Sequence, residues 1–179
     1  MNGYDALYQA VLEGDNELAQ DIAQQLLAAG RQPLDIIDQG LIAAMGEVGR
    51  LFREGELFVP EVMMAAETVA QVIDMLRPLL GNEKIDRGCV VLGTVKGDLH
   101  DIGKNLVSLL LTGNGFRVVD LGNDVPAEDF LSAQAEHGAE IVGLSALLTT
   151  TMDYMREVIA HFAAAGRRDQ VRIIIGGAP

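Results

Sequence analysis

The chemically richest stretch of this 179-residue chain is Gly97-Asp-Leu-His-Asp-Ile-Gly103. A neutral imidazole such as His100 can bind a metal through one ring nitrogen and donate its other N–H to an acceptor. Asp98, two residues earlier in a loop that can curl, can be that acceptor. The plainest reading is a polar strand-to-helix loop, with glycine for turning and aspartate for capping. A phosphate loop would need G-x-x-x-x-G-K-[ST]. Here Asn105 replaces the hydroxyl that holds Mg²⁺, and Asp98 and Asp101 would point negative charge at the phosphate. A dinuclear metallophosphoesterase also begins with Asp-x-His, but it needs several more ligands to hold two ions. The chain has three histidines, His100, His137 and His161, and Gly122-Asn-Asp124 lacks the histidine of a second ligand motif. One cysteine, Cys89, with scattered histidines cannot complete a structural zinc site. A single protein ligand suffices where the metal arrives in a macrocycle, haem or corrinoid, and no haem motif is present.

The elements that must position this loop read as two halves with different periods. From Tyr4 to Leu80 apolar residues recur at helical spacing. A short helix is predicted at Tyr4–Leu12. A second stripe, Leu18, Ile22 and Leu26 with Ala19, Ala23 and Leu27, opens at an Asp15 cap and closes at Gly30. A third runs Ile37, Leu41, Met45, Val48, Phe52, with Gly46 and Gly49 inside it as candidate close-contact points or weak spots. A fourth runs Val62, Ala66, Val69, Ile73, Leu76, Leu80, with Pro60 in its first turn. Met45, Met63, Met64 and Met75 read as core filler. Short turns between four helices describe a bundle.

The polar, glycine-bracketed stretch Gly81–Gly88 marks the boundary. This gives a helical cap over 1–82, a linker at 83–88 and a second domain over 89–179. In that domain short apolar runs (Cys89–Thr94, Phe116–Leu121, Ile141–Ser145, Val171–Ile175) alternate with helical patterns through Ile102–Leu111, Ala127–His137 and Met152–Ala165. Such alternation predicts right-handed βαβ units and a parallel sheet. Ligands of such sheets sit beyond the carboxyl ends of the strands, so the loops at 95–103, 121–126, 145–151 and 176–179 share one rim. The sequence stops just after a predicted strand, which points to truncation at the C-terminus.

Apolar residues make up 49% of the chain, enough for a real core. The net charge of −13 disfavours nucleic acid and anionic membranes. No export signal or long apolar run is seen, and the lone cysteine fits a reducing compartment, so a cytoplasmic protein is expected.

Gly97-Asp-Leu-His-Asp-Ile-Gly103 resembles the Asp-x-His-x-x-Gly signature of the cobalamin-binding region of methionine synthase and of small corrinoid methyl-carrier proteins. Thr94-Val-Lys before it and Lys104-Asn-Leu-Val107 after it match too. Leu144-Ser-Ala-Leu-Leu-Thr-Thr-Thr151 is similar to the family's Ser-x-Leu segment, and Gly176-Gly177 to its Gly-Gly. Leu51–Val62 resembles the helical cap segment. The order of helical cap, linker and Rossmann-like domain also agrees.

The resemblance implies a four-helix bundle cap followed by a Rossmann-like, flavodoxin-like cobalamin-binding domain. It implies cobalamin (methylcobalamin, cob(I)alamin, cob(II)alamin) bound with its own base displaced and His100 on cobalt. Asp98 and Thr151 would form the axial-ligand relay. Asp101, Ile102, Gly103, Ser145, Leu147, Thr149, Gly176 and Gly177 would line the cofactor, and Phe52, Val59 and Val62 would cover its upper face. The implied role is to carry methyl groups from a substrate-specific methyltransferase to a second one using tetrahydrofolate or a thiol, with a corrinoid reductive activator as a further partner. A corrinoid-binding sensor is the alternative of another class.

Overall fold

The protein is described by a computed structural model over residues 3–80 and 87–177. Most of the expected linker (81–86) and the C-terminal end where truncation was expected lie outside the described residues. The chain divides into two compact units, Met1–Ile85 with Leu109–Gly115, and Asp86–Ser108 with Phe116–Pro179.

The first unit is helical: α1 (Gly3–Glu13), α2 (Asn16–Ala28), α3 (Pro33–Ile36), α4 (Ala43–Glu54) and α5 (Val59–Leu76). The Asp15 carboxylate accepts from the Leu18 amide at 3.0 Å and caps α2 as expected. The buried face of α2 is Ala19, Ala23 and Leu26, while Leu18 is 44% exposed. The stripe is therefore centred about one position later than its bulkiest residues indicate. The predicted third helix is one rod in which a π-helical segment, Ile37–Ile42, joins α3 to α4 with right-handed helical dihedrals at both junctions. Inside that segment Gly40 lies against Leu7, where a Cβ would come within 2.5 Å of Cδ2. Gly46 and Gly49 make no such close approach, since added Cβ atoms would meet nothing within 4 Å and only an Arg53 side-chain nitrogen, respectively.

α5 starts where the Phe58 amide donates to the Glu61 carboxylate at 2.7 Å, with Pro60 in the first turn. Its inward stripe, Val62, Ala65, Ala66, Val69, Val72, Ile73 and Leu76, turns Met63 and Met64 outward. Those two methionines are exposed and are not core filler, whereas Met45 is buried. No helix among the described residues is long and apolar enough to cross a membrane.

The second unit holds β1 (Cys89–Thr94), α6 (Ile102–Gly113, its last turns grouped with the helical unit), β2 (Arg117–Asp120), α7 (Ala127–His137), β3 (Ile141–Ala146), α8 (Thr149–Ala164) and β4 (Arg172–Gly177). All pairings are parallel, in the order β2-β1-β3-β4. That is the flavodoxin-like arrangement, with its switch point between β1 and β3. β1 is buried along its whole length, as a central parallel strand must be. β3 and β4 run one and two residues past the predicted ends because Ser145 and Ala146 pair with Gly176 and Gly177 through main-chain atoms alone. A side-chain pattern does not register such pairing. Gly177, at φ +150°, has no alternative residue: a Cβ there would lie 1.7 Å from the Ala146 carbonyl oxygen.

Candidate functional site

β1 ends at the switch point, and the chain turns at once. The Asp98 amide donates to the Val95 carbonyl at 3.1 Å, closing a four-residue turn with Gly97 at its third position, φ +86°. This is where a turn with positive φ needs glycine. The Thr94 hydroxyl then donates to the His100 carbonyl at 3.1 Å, tying the loop end back to the strand end.

The turn buries the Asp98 carboxylate completely. One of its oxygens accepts from the His100 amide at 3.0 Å and faces Nδ1 of the His100 ring at 2.7 Å. The other accepts from the Leu147 amide at 2.8 Å and the Thr151 hydroxyl at 2.6 Å, with the Leu148 amide at 3.3 Å. Burial alone would raise this carboxyl's pKa. The Thr151 hydroxyl, the His100 and Leu147 amides and the His100 ring outweigh it and hold the group well below the usual carboxylate range. An ionised carboxylate only accepts, so Nδ1 of His100 is the donor of this contact and Nε2 is the ring nitrogen that remains for another partner. The His100 side chain is half exposed.

His100 opens onto a cavity of about 710 Å³ at the carboxyl ends of β1, β3 and β4. Its walls include Leu92, Val107, Leu144, Leu147, Ile174 and Ile175, and its rim carries Leu99 and Ile102, which are 69% and 86% exposed. Apolar surface so open to water marks a binding face. Among the described residues no group of three or more His, Cys, Asp or Glu is arranged to hold a metal ion. The described residues thus do not form the ligand set that a dinuclear phosphoesterase needs. The donor set instead suits a metal that brings its own equatorial ligands in a broad, largely apolar ring and lacks one axial nitrogen. A corrinoid meets that description.

Of the residues singled out from sequence, His100, Asp101, Ile102, Gly103, Ser145, Leu147, Gly176 and Gly177 line this cavity, and Asp98 and Thr151 stand behind His100. Thr149 is exposed at the first position of α8 and is not among the lining residues. In the helical unit, Phe52 and Val59 are 46% and 42% exposed, whereas Val62 is buried in that unit's core. Sequence reasoning did not single out Leu92, Gly143, Ile174 or Ile175, and Leu99, Lys104, Val107, Leu144 and Ala146 entered it only as members of the resembling motifs, without a lining role. Gly143 inside a strand was the available signal: it pairs with Leu92, and a Cβ there would lie 2.6 Å from Leu92 Cδ1. Lys104 is buried and donates to both Asp120 oxygens, at 2.6 and 2.5 Å, and to Asn105 Oδ1 at 2.6 Å.

Comparison with known proteins agrees with this geometry. Two family models, both described as B12 binding domains, match residues 88–179 and 4–77. The chain is 38% identical to a corrinoid protein of Desulfitobacterium hafniense strain Y51, over 100% of this chain and 85% of that one. It is 42% identical to trimethylamine corrinoid protein 1 of Methanosarcina acetivorans, over 95% and 80%. Among solved structures it resembles the methanol:cobalamin methyltransferase complex of Methanosarcina barkeri, with TM-score 0.89, 36% identity and coverage of 98% of this chain and 67% of that one. It also resembles a cobalamin-binding protein of Desulfitobacterium hafniense DCB-2, with TM-score 0.80, 35% identity and coverage of 98% and 84%.

Proposed function

The chain belongs to the B12-binding corrinoid proteins of methyltransferase systems, and from that membership we propose that it is a methyl carrier holding cobalamin with His100 as the lower axial ligand. The cofactor supplies the cobalt centre that takes up and gives away the methyl group, and the protein supplies binding, axial ligation and electrostatics. The observation that carries this reading is the lone imidazole at the cavity, its Nδ1 held 2.7 Å from a buried carboxylate and its Nε2 free.

The residues then divide the work. His100 presents Nε2 toward the ring, and Asp98 keeps the other nitrogen protonated and the ring oriented. Thr151 donates to Asp98 and so weights the carboxylate toward its charged form. Asp101, Ile102, Gly103 and Leu147 flank the ring of the cofactor. Ser145 would bond its nucleotide tail, beside the backbone at Gly176 and Gly177, whereas Thr149 stands outside the cavity lining. Phe52 and Val59, exposed in the helical unit, would supply apolar cover for the upper face, a role that the burial of Val62 does not fit. The partners are a substrate-specific methyltransferase, a second methyltransferase using tetrahydrofolate or a thiol, and a reductive activator, all in the cytoplasm. Relatives named for trimethylamine and dimethylamine make a methylated amine the first donor to test.

Anaerobic reconstitution with cobalamin, followed by EPR of the Co(II) form with ¹⁵N-histidine label, tests the core of this reading. Nitrogen splitting that changes with the label is expected. Splitting indifferent to the label would sink the axial assignment.

A further inference from the structure

Asp124 is the one described non-glycine residue with positive φ, +54°. It lies in the loop after β2, 24 residues beyond His100 in number yet beside its loop in space. L-residues avoid this region, aspartate less than most, and such conformations persist where surrounding contacts hold them. The contacts here run in both directions. The Asp124 carboxylate accepts from the Gly97 amide at 2.7 Å, and the Asp124 amide donates to the Asp98 carbonyl at 3.0 Å. Around this pair the two loops continue the ladder of β1 and β2, through Thr94 N–H to Gly122 O at 2.9 Å and Val125 N–H to Thr94 O at 3.0 Å. The left-handed turn is what aims the amide and the carboxylate of one residue at the two ends of the dipeptide Gly97-Asp98, the N–H of Gly97 and the carbonyl of Asp98, with the peptide bond between those two residues bracketed by the contacts.

We infer that Asp124 is a positioning residue for His100. It clamps the Gly97-Asp98 dipeptide at its outer N–H and C=O, and so fixes where the Asp98 carboxylate meets His100 Nδ1. The leverage is geometric. Asp98 grips the His100 amide and ring with one oxygen and the loop after β3 with the other. A rotation of the Gly97–Asp98 peptide therefore misaligns both at once. Asp124 is exposed and does not line the cavity, so its influence on the cofactor passes entirely through this peptide. The inference rests on the axial reading of His100 for its consequence, but the clamp itself is a property of the cofactor-free chain.

Three variants separate clamp from scaffold. Asp124→Gly relieves the positive φ and deletes the carboxylate acceptor, Asp124→Asn keeps both the acceptor and tolerance of the turn, and Asp124→Ala loses both. In the cofactor-free protein, ¹⁵N-histidine NMR of the wild type should show the His100 Nδ1 proton slowed in exchange by its bond to Asp98. Asp124→Gly should lose that protection while keeping its melting temperature, and Asp124→Asn should keep both. After reconstitution, the ratio of histidine-bound to histidine-free cobalt should fall about fivefold to tenfold in Asp124→Gly, the factor for one hydrogen bond of ordinary strength. Wild-type protection and splitting in Asp124→Gly would overturn the inference. So would an Asp124→Asn variant as impaired as the glycine one, or losses that simply follow a lowered melting temperature across the three. If the wild type itself lacks histidine splitting, the axial reading falls, and the NMR arm still decides the clamp.

Discussion

Thr151 and Asp98 lie 53 residues apart in sequence, yet the threonine hydroxyl reaches the carboxylate at 2.6 Å inside the protein. The same hydroxyl lies 2.9 Å from the Leu148 carbonyl, so a single side chain connects the first turn of α8 to the loop carrying His100. Removing the hydroxyl and keeping the shape, as in Thr151→Val, should destabilise the protein by about 1–2 kcal/mol, because a buried charged acceptor loses a donor. Thr151→Ser should cost less than half as much. Urea denaturation of both variants checks this, and equal losses would mean that the methyl group, not the hydroxyl, matters.

Asp98 should also leave a signature in pH. Its folded-state pKa lies below the ordinary 3.8, so its stabilising contribution is fully present above that value. The contribution is lost progressively as pH falls from there through the depressed folded value. Asp98→Asn turns an amide NH₂ toward groups that all donate, at a cost of about 2–4 kcal/mol at neutral pH. The gap in unfolding free energy between wild type and Asp98→Asn should be constant from about pH 5 to 8 and shrink below about pH 4. A gap that widens on acidification would contradict the charge state assigned to Asp98.

Lys104 and Asp120 provide an independent test of what holds the start of α6 against the end of β2. The lysine is buried and the aspartate part-exposed, and Asp120 also accepts from the Gly122 amide at 2.8 Å. Asp120→Asn leaves a buried ammonium with only neutral amide acceptors, that of the substituted side chain and that of Asn105, and should cost about 2–4 kcal/mol. The double change with Lys104→Met should cost much less than the sum of the two single changes. Additive losses in chemical denaturation would show that the two side chains are not coupled.

Phe52 and Val62 should part company. Phe52 is half exposed, so Phe52→Ala should move stability by no more than about 0.5 kcal/mol. Val62 is core, and Val62→Ala should cost about 2 kcal/mol through the cavity it leaves. If Phe52 covers the cofactor's upper face, its alanine variant should still bind methylcobalamin but lose the methyl group to light faster than wild type. Photolysis at the wild-type rate in the folded variant would make Phe52 an ordinary surface residue.

Much of this was legible in the residues themselves. A short unbroken apolar run reveals β1, buried at every position, and a helical pattern places α7, whose buried face is Ala127, Phe130, Ala133 and Gln134. The Asp98–His100 pairing was readable from spacing, since a two-residue separation in a curling loop leaves few other geometries. The long-range contacts were not. Leu18 is larger than Ala19, so hydrophobicity weights it inward, while close packing chose the alanine face of α2. Lys104 entered only as part of a motif flank, and nothing in the pattern signals that it is buried against Asp120, 16 residues on. The lead-in of α8 at Thr149 was lost among three consecutive threonines with no apolar period. Asp124 had been weighed only as a failed metal ligand, because what distinguishes it is a dihedral angle and not a residue type.

The order in which the chain leaves the ribosome has a consequence for His100. Its loop follows β1, the first strand of the sheet, and beyond the local bonds to Val95 and Thr94 its long-range partners come later: Asp124 from beyond β2, then the Leu147 amide and the Thr151 hydroxyl from beyond β3. Synthesis proceeds from the N-terminus, so the helical region and β1 are complete well before their loop has a fixed shape. A nascent chain released before Thr151 has emerged would carry the Asp-x-His signature intact and still be unable to hold the imidazole in place. Competence for the cofactor thus arrives late and abruptly in the life of each polypeptide, after the third strand and not with the motif.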